Sequence, residues 1–444
     1  MMKFKLIKKR PTSFQVIILG FLGVILLGTF LLMMPVSCRA GIWTPFSDAL
    51  FTSTSAVCVT GLVVHDTVSY WSAFGQIVIL FLIQIGGMGV ITVAAVISMI
   101  SGKKISLMQR STMQETIAAP QVGGIVRLTG FAVKYTIIIE LIGAAAMAPV
   151  FCGDFGVKGL WMALFHSVSA FCNAGFDLMG ADSPFSSLTE YAAQPLINIV
   201  VMALIIVGGI GFLTWDDIKT NRWHFHKYRM QSKVILCTTA LLILIPTTYF
   251  YFCEFESLTF GKRMLASAFQ AVTPRTAGFN TVDLTSLSEA GMFIIMILML
   301  IGGSPGSTAG GMKTTTVAVL FATAISTFRQ KEDTNFFGRR IEHGVIRNAA
   351  TILLMYIVLF FTGGLLISRM EGIPMTTCLF ETASAVGTAG LTLGITSELG
   401  TASRLILILL MFLGRVGGLT LIFAALPDTK KTGSRLPQEK ITVG

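Results

Sequence analysis

Four short segments repeat one pattern along this chain: Ser55-Ala56-Val57-Cys58-Val59-Thr60-Gly61-Leu62, Ser169-Ala170-Phe171-Cys172-Asn173-Ala174-Gly175-Phe176, Val272-Thr273-Pro274-Arg275-Thr276-Ala277-Gly278-Phe279 and Ser384-Ala385-Val386-Gly387-Thr388-Ala389-Gly390-Leu391. Each ends in a small residue, a glycine and an apolar residue, and the four glycines fall 114, 103 and 112 residues apart. Recurrence of that kind predicts four copies of one unit, most simply grouped around a shared axis.

The solvent for those units is lipid. Hydrophobic residues make up 53% of the chain and charged ones 12%, where soluble domains carry about 25% charged residues. Eight apolar runs approach or exceed the length of about 20 residues that crosses a bilayer: 14–34, 76–100, 128–150, 197–215, 234–253, an interrupted 290–326, 347–368 and 404–426. Lys3, Lys5, Lys8, Lys9 and Arg10 precede the first run. That run exceeds the apolar core of about 7–15 residues in a secretory signal, so a retained helix is expected.

The net charge of +11 does not call for nucleic acid. Of the 33 Lys and Arg residues, 23 lie in the N-terminal tail, the connectors 101–127, 216–233 and 327–347, and the C-terminal tail. All five segments share one side if each unit crosses twice, and the positive-inside rule makes that side cytoplasmic, with both termini. The seven cysteines and five histidines show no metal-ligand spacing, and no acid–base cluster appears in the helices. Neither an enzyme nor an organic cofactor is expected.

Each unit reads as helix, re-entrant segment, helix. The expected class is an all-α integral membrane protein of eight transmembrane helices with a pseudo-fourfold pore. Its units are 1–105, 106–220, 221–335 and 336–430, and 431–444 forms a cytoplasmic tail. Short helices are expected at 45–57, 160–172, 262–272 and 374–386, the first capped by Thr44 with Pro45 at its first position. A second signature follows in register: Ile85-Gly86-Gly87-Met88-Gly89, Val207-Gly208-Gly209-Ile210-Gly211, Ile301-Gly302-Gly303-Ser304-Pro305 and Leu413-Gly414-Arg415-Val416-Gly417. Close helix packing accounts for such glycines singly, but not for their registration with the loops.

A dehydrated cation needs oxygen ligands, and backbone carbonyls supply them without fixed charge. The candidate cation-binding segments are Val59-Thr60-Gly61, Asn173-Ala174-Gly175, Thr276-Ala277-Gly278 and Thr388-Ala389-Gly390, with glycine supplying the dihedrals that turn carbonyls toward an axis. The short helices would aim their negative C-terminal ends at the ion. Asp66, Asp177 and Asp283, just beyond three of the loops, read either as vestibule charges or as solvated loop carboxylates.

The third returning run contains Gly302-Gly303-Ser304-Pro305-Gly306-Ser307-Thr308-Ala309-Gly310-Gly311-Met312-Lys313. No regular helix survives that composition, and the break falls near mid-membrane, where it would serve as a gate. Arg415 replaces a signature glycine. Such a charge costs at least about 2.5 kcal/mol in the membrane, so it is expected either to hold the 302–313 loop through its carbonyls or to pair with Glu140 or Glu381. Arg275 is expected to brace the third loop from behind.

These features together (the repeats, the 272–280 run, the Gly/Ser-rich break and Arg415) resemble the Trk/Ktr/HKT superfamily of potassium transporters, most nearly the bacterial Ktr membrane subunit, over nearly the whole chain. The resemblance implies potassium as the transported ion, often with sodium as activator, and a membrane homodimer with one pore per protomer. It implies a cytosolic ring of regulatory, nucleotide-binding subunits (KtrA-like) docked on the basic face. It also implies that Gly61, Gly175, Gly278 and Gly390 are filter glycines, with Gly rather than Ser at the first position favouring potassium over sodium. Gly302, Gly303, Gly306, Gly310, Gly311, Lys313 and Arg415 carry over as the gate.

Overall fold

The computed structural model describes residues 12–101, 105–117, 121, 123–180, 183–417 and 420. The basic N-terminal residues, the tail 431–444 and the end of the last apolar run lie outside the described residues.

Each unit opens on a long helix: Ser13–Met33, Ile125–Phe155, Met230–Tyr249 and His343–Glu371. The first is set by a capping box, in which Thr12 and Gln15 satisfy each other's backbone N–H. All four are long and apolar enough to span a bilayer. Their outward faces carry exposed Leu26, Phe30, Ile142, Leu244, Leu354 and Leu365. Water would not tolerate so continuous an apolar surface, and lipid requires it.

Between each outgoing and returning helix lies a short helix: Phe46–Cys58, Lys158–Phe171, Phe260–Val272 and Met375–Gly387. The positions match expectation to within two residues. One detail differs: Pro45, not Thr44, is the N-cap, at φ −52 and ψ 141, and its carbonyl accepts from the Asp48 and Ala49 N–H. The side chain of Thr44 is engaged by the Tyr70 hydroxyl instead. Pro374 repeats the arrangement in the fourth unit.

These short helices are buried although rich in hydroxyls, and in each of three of them a hydroxyl is satisfied by the outgoing helix. Ser53 donates to Ile25 O at 2.7 Å, Ser167 to Glu140 O at 2.6 Å and Thr382 to Phe360 O at 3.2 Å. The outgoing helices admit them at Gly28 and Gly143, where a Cβ would collide with Ser53 or Ser167, and at Gly363, where it would crowd Thr382 at 3.1 Å.

The returning helices are Ala73–Met88, Pro195–Gly209, Glu289–Leu300 and Thr401–Val416. Each packs against the short helix of the next unit, the fourth against the first, so the units close a ring. On the outer side Arg404 of the last helix meets Asp48 of the first short helix at 2.9 Å.

Continuous returning runs were expected in the first, second and fourth units. The structure corrects this. At Gly89 (φ 87) and Gly211 (φ 90) the chain turns by 95° and 98° into Val90–Ile100 and Phe212–Asn221. Gly417 adopts the same conformation, φ 86 and ψ 133, as the last described helix ends. Dihedrals like these exclude side chains, so the last glycine of the first, second and fourth signatures is a helix breaker. Among the described residues, counting each bent pair as one span gives up to six crossings by length and composition, and Glu289–Leu300 and Thr314–Phe328 are shorter apolar helices. In the cytoplasm-facing connector 327–347 expected from the sequence, Asn335–Phe336 and Arg339–Arg340 form a two-stranded hairpin.

The packing explanation for the signature also reaches further than the sequence suggested. A Cβ on Gly86, Gly208 or Gly414 would strike the carbonyl of Val57, Phe171 or Val386, which lies in the last turn of the same unit's short helix. Registration with the loops follows from that backbone contact.

Candidate functional site

The short helices end alike. In the first, second and fourth units the Thr60, Ala174 and Ala389 N–H groups donate back to Ser55 O, Ser169 O and Ser384 O, each at 2.8 Å. This is the Schellman closure, which needs a left-handed residue just past the helix. Val59 (φ 57), Asn173 (φ 60) and Thr388 (φ 52) occupy that position. In the third unit Pro274 has no N–H to give, the helix stops at Val272, and Ala277 N–H donates to Thr273 O at 3.0 Å instead. The left-handed residue is nonetheless retained as Thr276 (φ 69).

Two residues on, Gly61 (φ 94), Gly175 (φ 69), Gly278 (φ 83) and Gly390 (φ 82) turn the chain again. A Cβ on Gly61 would stand 2.5 Å from Ala174 O, one on Gly175 2.6 Å from Ala277 O, and one on Gly278 2.7 Å from Ala389 O. A Cβ on Gly390 would strike Thr60 O, which closes the circuit. The glycine of each candidate segment and the residue before it thus close one ring.

Among the described residues, no carbonyl of these twelve residues accepts a hydrogen bond from the protein, and the segments are buried. The hydroxyls of Thr60, Thr276 and Thr388 are buried without partners as well. Buried oxygen is costly to leave unpaired. A ring of such oxygens with no fixed charge suits a weakly held, dehydrated monovalent cation, whereas no group of three or more His, Cys, Asp or Glu among the described residues could hold a metal ion. Behind the ring, Ser169 and Thr273 hold the Phe176 and Phe279 carbonyls at 2.7 and 2.6 Å.

Each of the acids beyond the ring also serves its own loop. Asp66 caps Thr67–Tyr70 and also accepts from Phe185 N–H at 3.2 Å. Asp283 caps Thr285. Asp177 accepts from Met179 N–H at 3.1 Å. Burial pushes its carboxyl up to about 6 against that bond, and Asp66 adds repulsion.

The 302–313 loop lies on the inner face of the ring. Gly310 abuts Thr388, and a Cβ on Gly311 would stand 2.8 Å from Gly387 O. Gly302 and Gly303 face the loop's own far limb at Gly310 and Ala309, and Gly306 abuts Ile117 O. The broken second returning helix supplies the anchor. Ser304 N–H donates to Gly209 O at 2.9 Å, Thr308 N–H to Gly208 O at 3.3 Å, and Phe212 N–H to Gly306 O at 2.8 Å. The groups freed by the break at Gly211 are those the loop satisfies. Lys313 turns back on the loop, its Nζ 2.9 Å from Ala309 O.

Arg415 reaches across the assembly. Its guanidinium donates to Thr308 O and Gly86 O, and to Gly87 O at 3.2 Å. Among the described residues it forms no ion pair. Glu140 instead accepts from Gln84 at 3.3 Å, and Glu381 from Thr392 and Thr396. The ion-pair alternative is therefore set aside, and the carbonyl alternative describes the geometry. Arg275 is buried and directed toward Thr239, 3.4 Å away. Below the loop, a cavity of about 350 Å³ is bounded by Phe21, Glu115, Lys313 and Arg415.

Sequence reasoning missed three features of this site: the left-handed residues at the head of each turn, the helix breaks, and the contacts of Thr308. The last two join residues at least 94 positions apart in sequence and have no local signature.

Comparison with known proteins accords with this geometry. Residues 5–433 match the family described as TrkH, cation transport protein. The potassium/sodium uptake protein NtpJ of Enterococcus hirae is 39% identical over 99% of both chains. The Ktr system potassium uptake protein B of Bacillus subtilis is 39% identical over 100% of this chain and 99% of its own, and that of Vibrio alginolyticus 35% over 97% and 94%. The solved potassium transporter TrkH from Vibrio parahaemolyticus superposes with a TM-score of 0.73 at 19% identity, covering 96% of this chain and 87% of that one.

Proposed function

Since the chain belongs to the TrkH cation transport protein family, a family of multi-pass membrane proteins and not enzymes, we propose that it is the ion-translocating subunit of a Ktr-type potassium uptake system. The single observation that carries this reading is the closed ring of four glycine turns lined by unpartnered buried carbonyls. Potassium is the substrate: it sheds water at the ring and is held by Val59-Thr60-Gly61, Asn173-Ala174-Gly175, Thr276-Ala277-Gly278 and Thr388-Ala389-Gly390. Four helix C-termini aimed at the ring add negative potential. All four returns cross the membrane, which gives eight spans.

The 302–313 loop is the gate. Arg415 holds it shut by joining Thr308 O to Gly86 O and Gly87 O, and opening requires those bonds to part. Arg275 braces the third turn from behind, off the axis. The basic connectors support a cytoplasmic gate side, together with both termini. That face receives a ring of nucleotide-binding regulatory subunits, and the subunit pairs as a homodimer. Names such as "Ktr system potassium uptake protein B" among the relatives support a multi-component system, and "potassium/sodium uptake" supports a part for sodium.

Rubidium and sodium uptake by potassium-uptake-deficient bacteria expressing the chain tests the reading. The wild type restores rubidium uptake, and Gly61→Ser lowers its preference over sodium. Failure of the wild type to restore uptake, at normal membrane level and with a regulatory subunit co-expressed, contradicts it.

A further inference from the structure

Thr308 stands in the middle of the 302–313 loop and is fully buried. Each of its polar groups is engaged, and together they touch two other units. Its N–H donates to Gly208 O at 3.3 Å, its carbonyl accepts from Arg415, and its Oγ1 lies 3.1 Å from Phe171 O and 3.0 Å from Asn173 Oδ1. Both hydroxyl neighbours are acceptors, so the Thr308 proton is committed to the second unit's glycine turn.

Asn173 is the left-handed residue of that turn. Its Nδ2 donates to Arg275 O at 3.3 Å and to Ile205 O at 3.4 Å. With both amide protons spent on carbonyls, Oδ1 requires a donor, and the Thr308 hydroxyl supplies it. Arg275 immediately precedes Thr276, the left-handed residue of the third turn. A continuous chain of hydrogen bonds therefore runs from Arg415 through Thr308 and Asn173 to the backbone that enters the third turn. The other turns carry Val59, Thr276 and Thr388 at the equivalent position, none with a carboxamide to bridge in this way.

We propose that Thr308 is a positioning residue for ion selection: its hydroxyl locks the Asn173 carboxamide, which fixes the spacing of the second and third turns, so that the loop closing the path also sets the geometry of the ring. This rests on reading the turns as a cation filter. When the loop moves away, the lock is released and the ring loosens on that side.

The test is rubidium and sodium uptake in potassium-uptake-deficient cells, with membrane levels measured in parallel. Thr308→Val keeps the side-chain volume and removes the hydroxyl. It lowers the rubidium-over-sodium preference about three- to tenfold, the size of one lost neutral hydrogen bond, and Thr308→Ser restores it. A merely structural residue would change protein level or total flux and leave the preference alone. If Thr308→Val stays within about twofold of wild type while Gly61→Ser shifts the preference, the lock is refuted and the filter stands. If neither substitution shifts it, the filter reading fails and the lock with it. A Thr308→Ser protein as unselective as Thr308→Val also refutes the lock. Should Thr308→Val not reach the membrane, Thr308→Ala is judged by the same criteria.

Discussion

Three of the four left-handed residues at the ring are β-branched, Val59, Thr276 and Thr388, and a β-branched side chain at positive φ costs on the order of 1–3 kcal/mol. The Schellman closure behind Val59 and Thr388, the Ala277–Thr273 bond behind Thr276 and the ring in front over-determine their backbone. Gly390→Ala adds a further conflict, since its methyl would enter the Thr60 carbonyl. We expect at least about a tenfold loss of uptake at unchanged membrane level, because relief requires one turn to leave the ring. Arg415→Ala acts in the opposite direction. It removes charge-assisted bonds to three carbonyls, together roughly 2–4 kcal/mol of closure, and raises rubidium uptake several-fold in cells. On the proposed external side, Asp177, whose carboxyl burial pushes up to about 6, is charged above that pH and neutral below. Uptake should fall as external pH drops from about 7.5 to 5.5, and Asp177→Asn should flatten the profile at the lower rate.

At the scale of elements, the short helices were legible because too few apolar residues separate their boundaries to span and too many to be surface loops. The repeated turns were legible because the glycines recur in register. The breaks at Gly89 and Gly211 were not, since glycine in a membrane helix signals packing as readily as bending and apolar residues continue on both sides. What decides is the partner: the carbonyls bared at Gly208 and Gly209 are taken by Ser304 and Thr308, and those at Gly86 and Gly87 by Arg415. Pairings across that sequence distance leave no local trace. Deleting residues within 304–311 strips the second unit of those partners, releases Arg415 from Thr308 and removes the obstruction together. The expected result is faster rubidium uptake with normal membrane insertion, read by uptake assay and membrane immunoblot.

At the scale of the whole molecule, a ring built from one chain must close between its first and last units. Closure here is a backbone contact at Gly390 and Thr60, the packing of Thr401–Val416 on Phe46–Cys58, and the Arg404–Asp48 pair on the outer side. Asp48 also accepts from His65 at 2.8 Å. Asp48→Ala leaves Arg404 with only the Ser397 carbonyl and should lower stability by about 1–3 kcal/mol, measured as an earlier thermal transition in detergent, with ion preference retained. The fourfold plan and the ring's members could be read from the repeats. Its cyclic order and the cross-bracing by Arg415 could not, because they depend on which returning helix meets which short helix.

The most direct measurement is the anomalous signal of rubidium in a crystal structure of this chain. Four glycine bends encircling unpaired peptide oxygens predict an anomalous peak on the central line, coordinated by the carbonyls of Thr60, Ala174, Ala277 and Ala389. A well-occupied rubidium site found elsewhere, with that line filled by side chains or empty at saturating ion, would contradict the account.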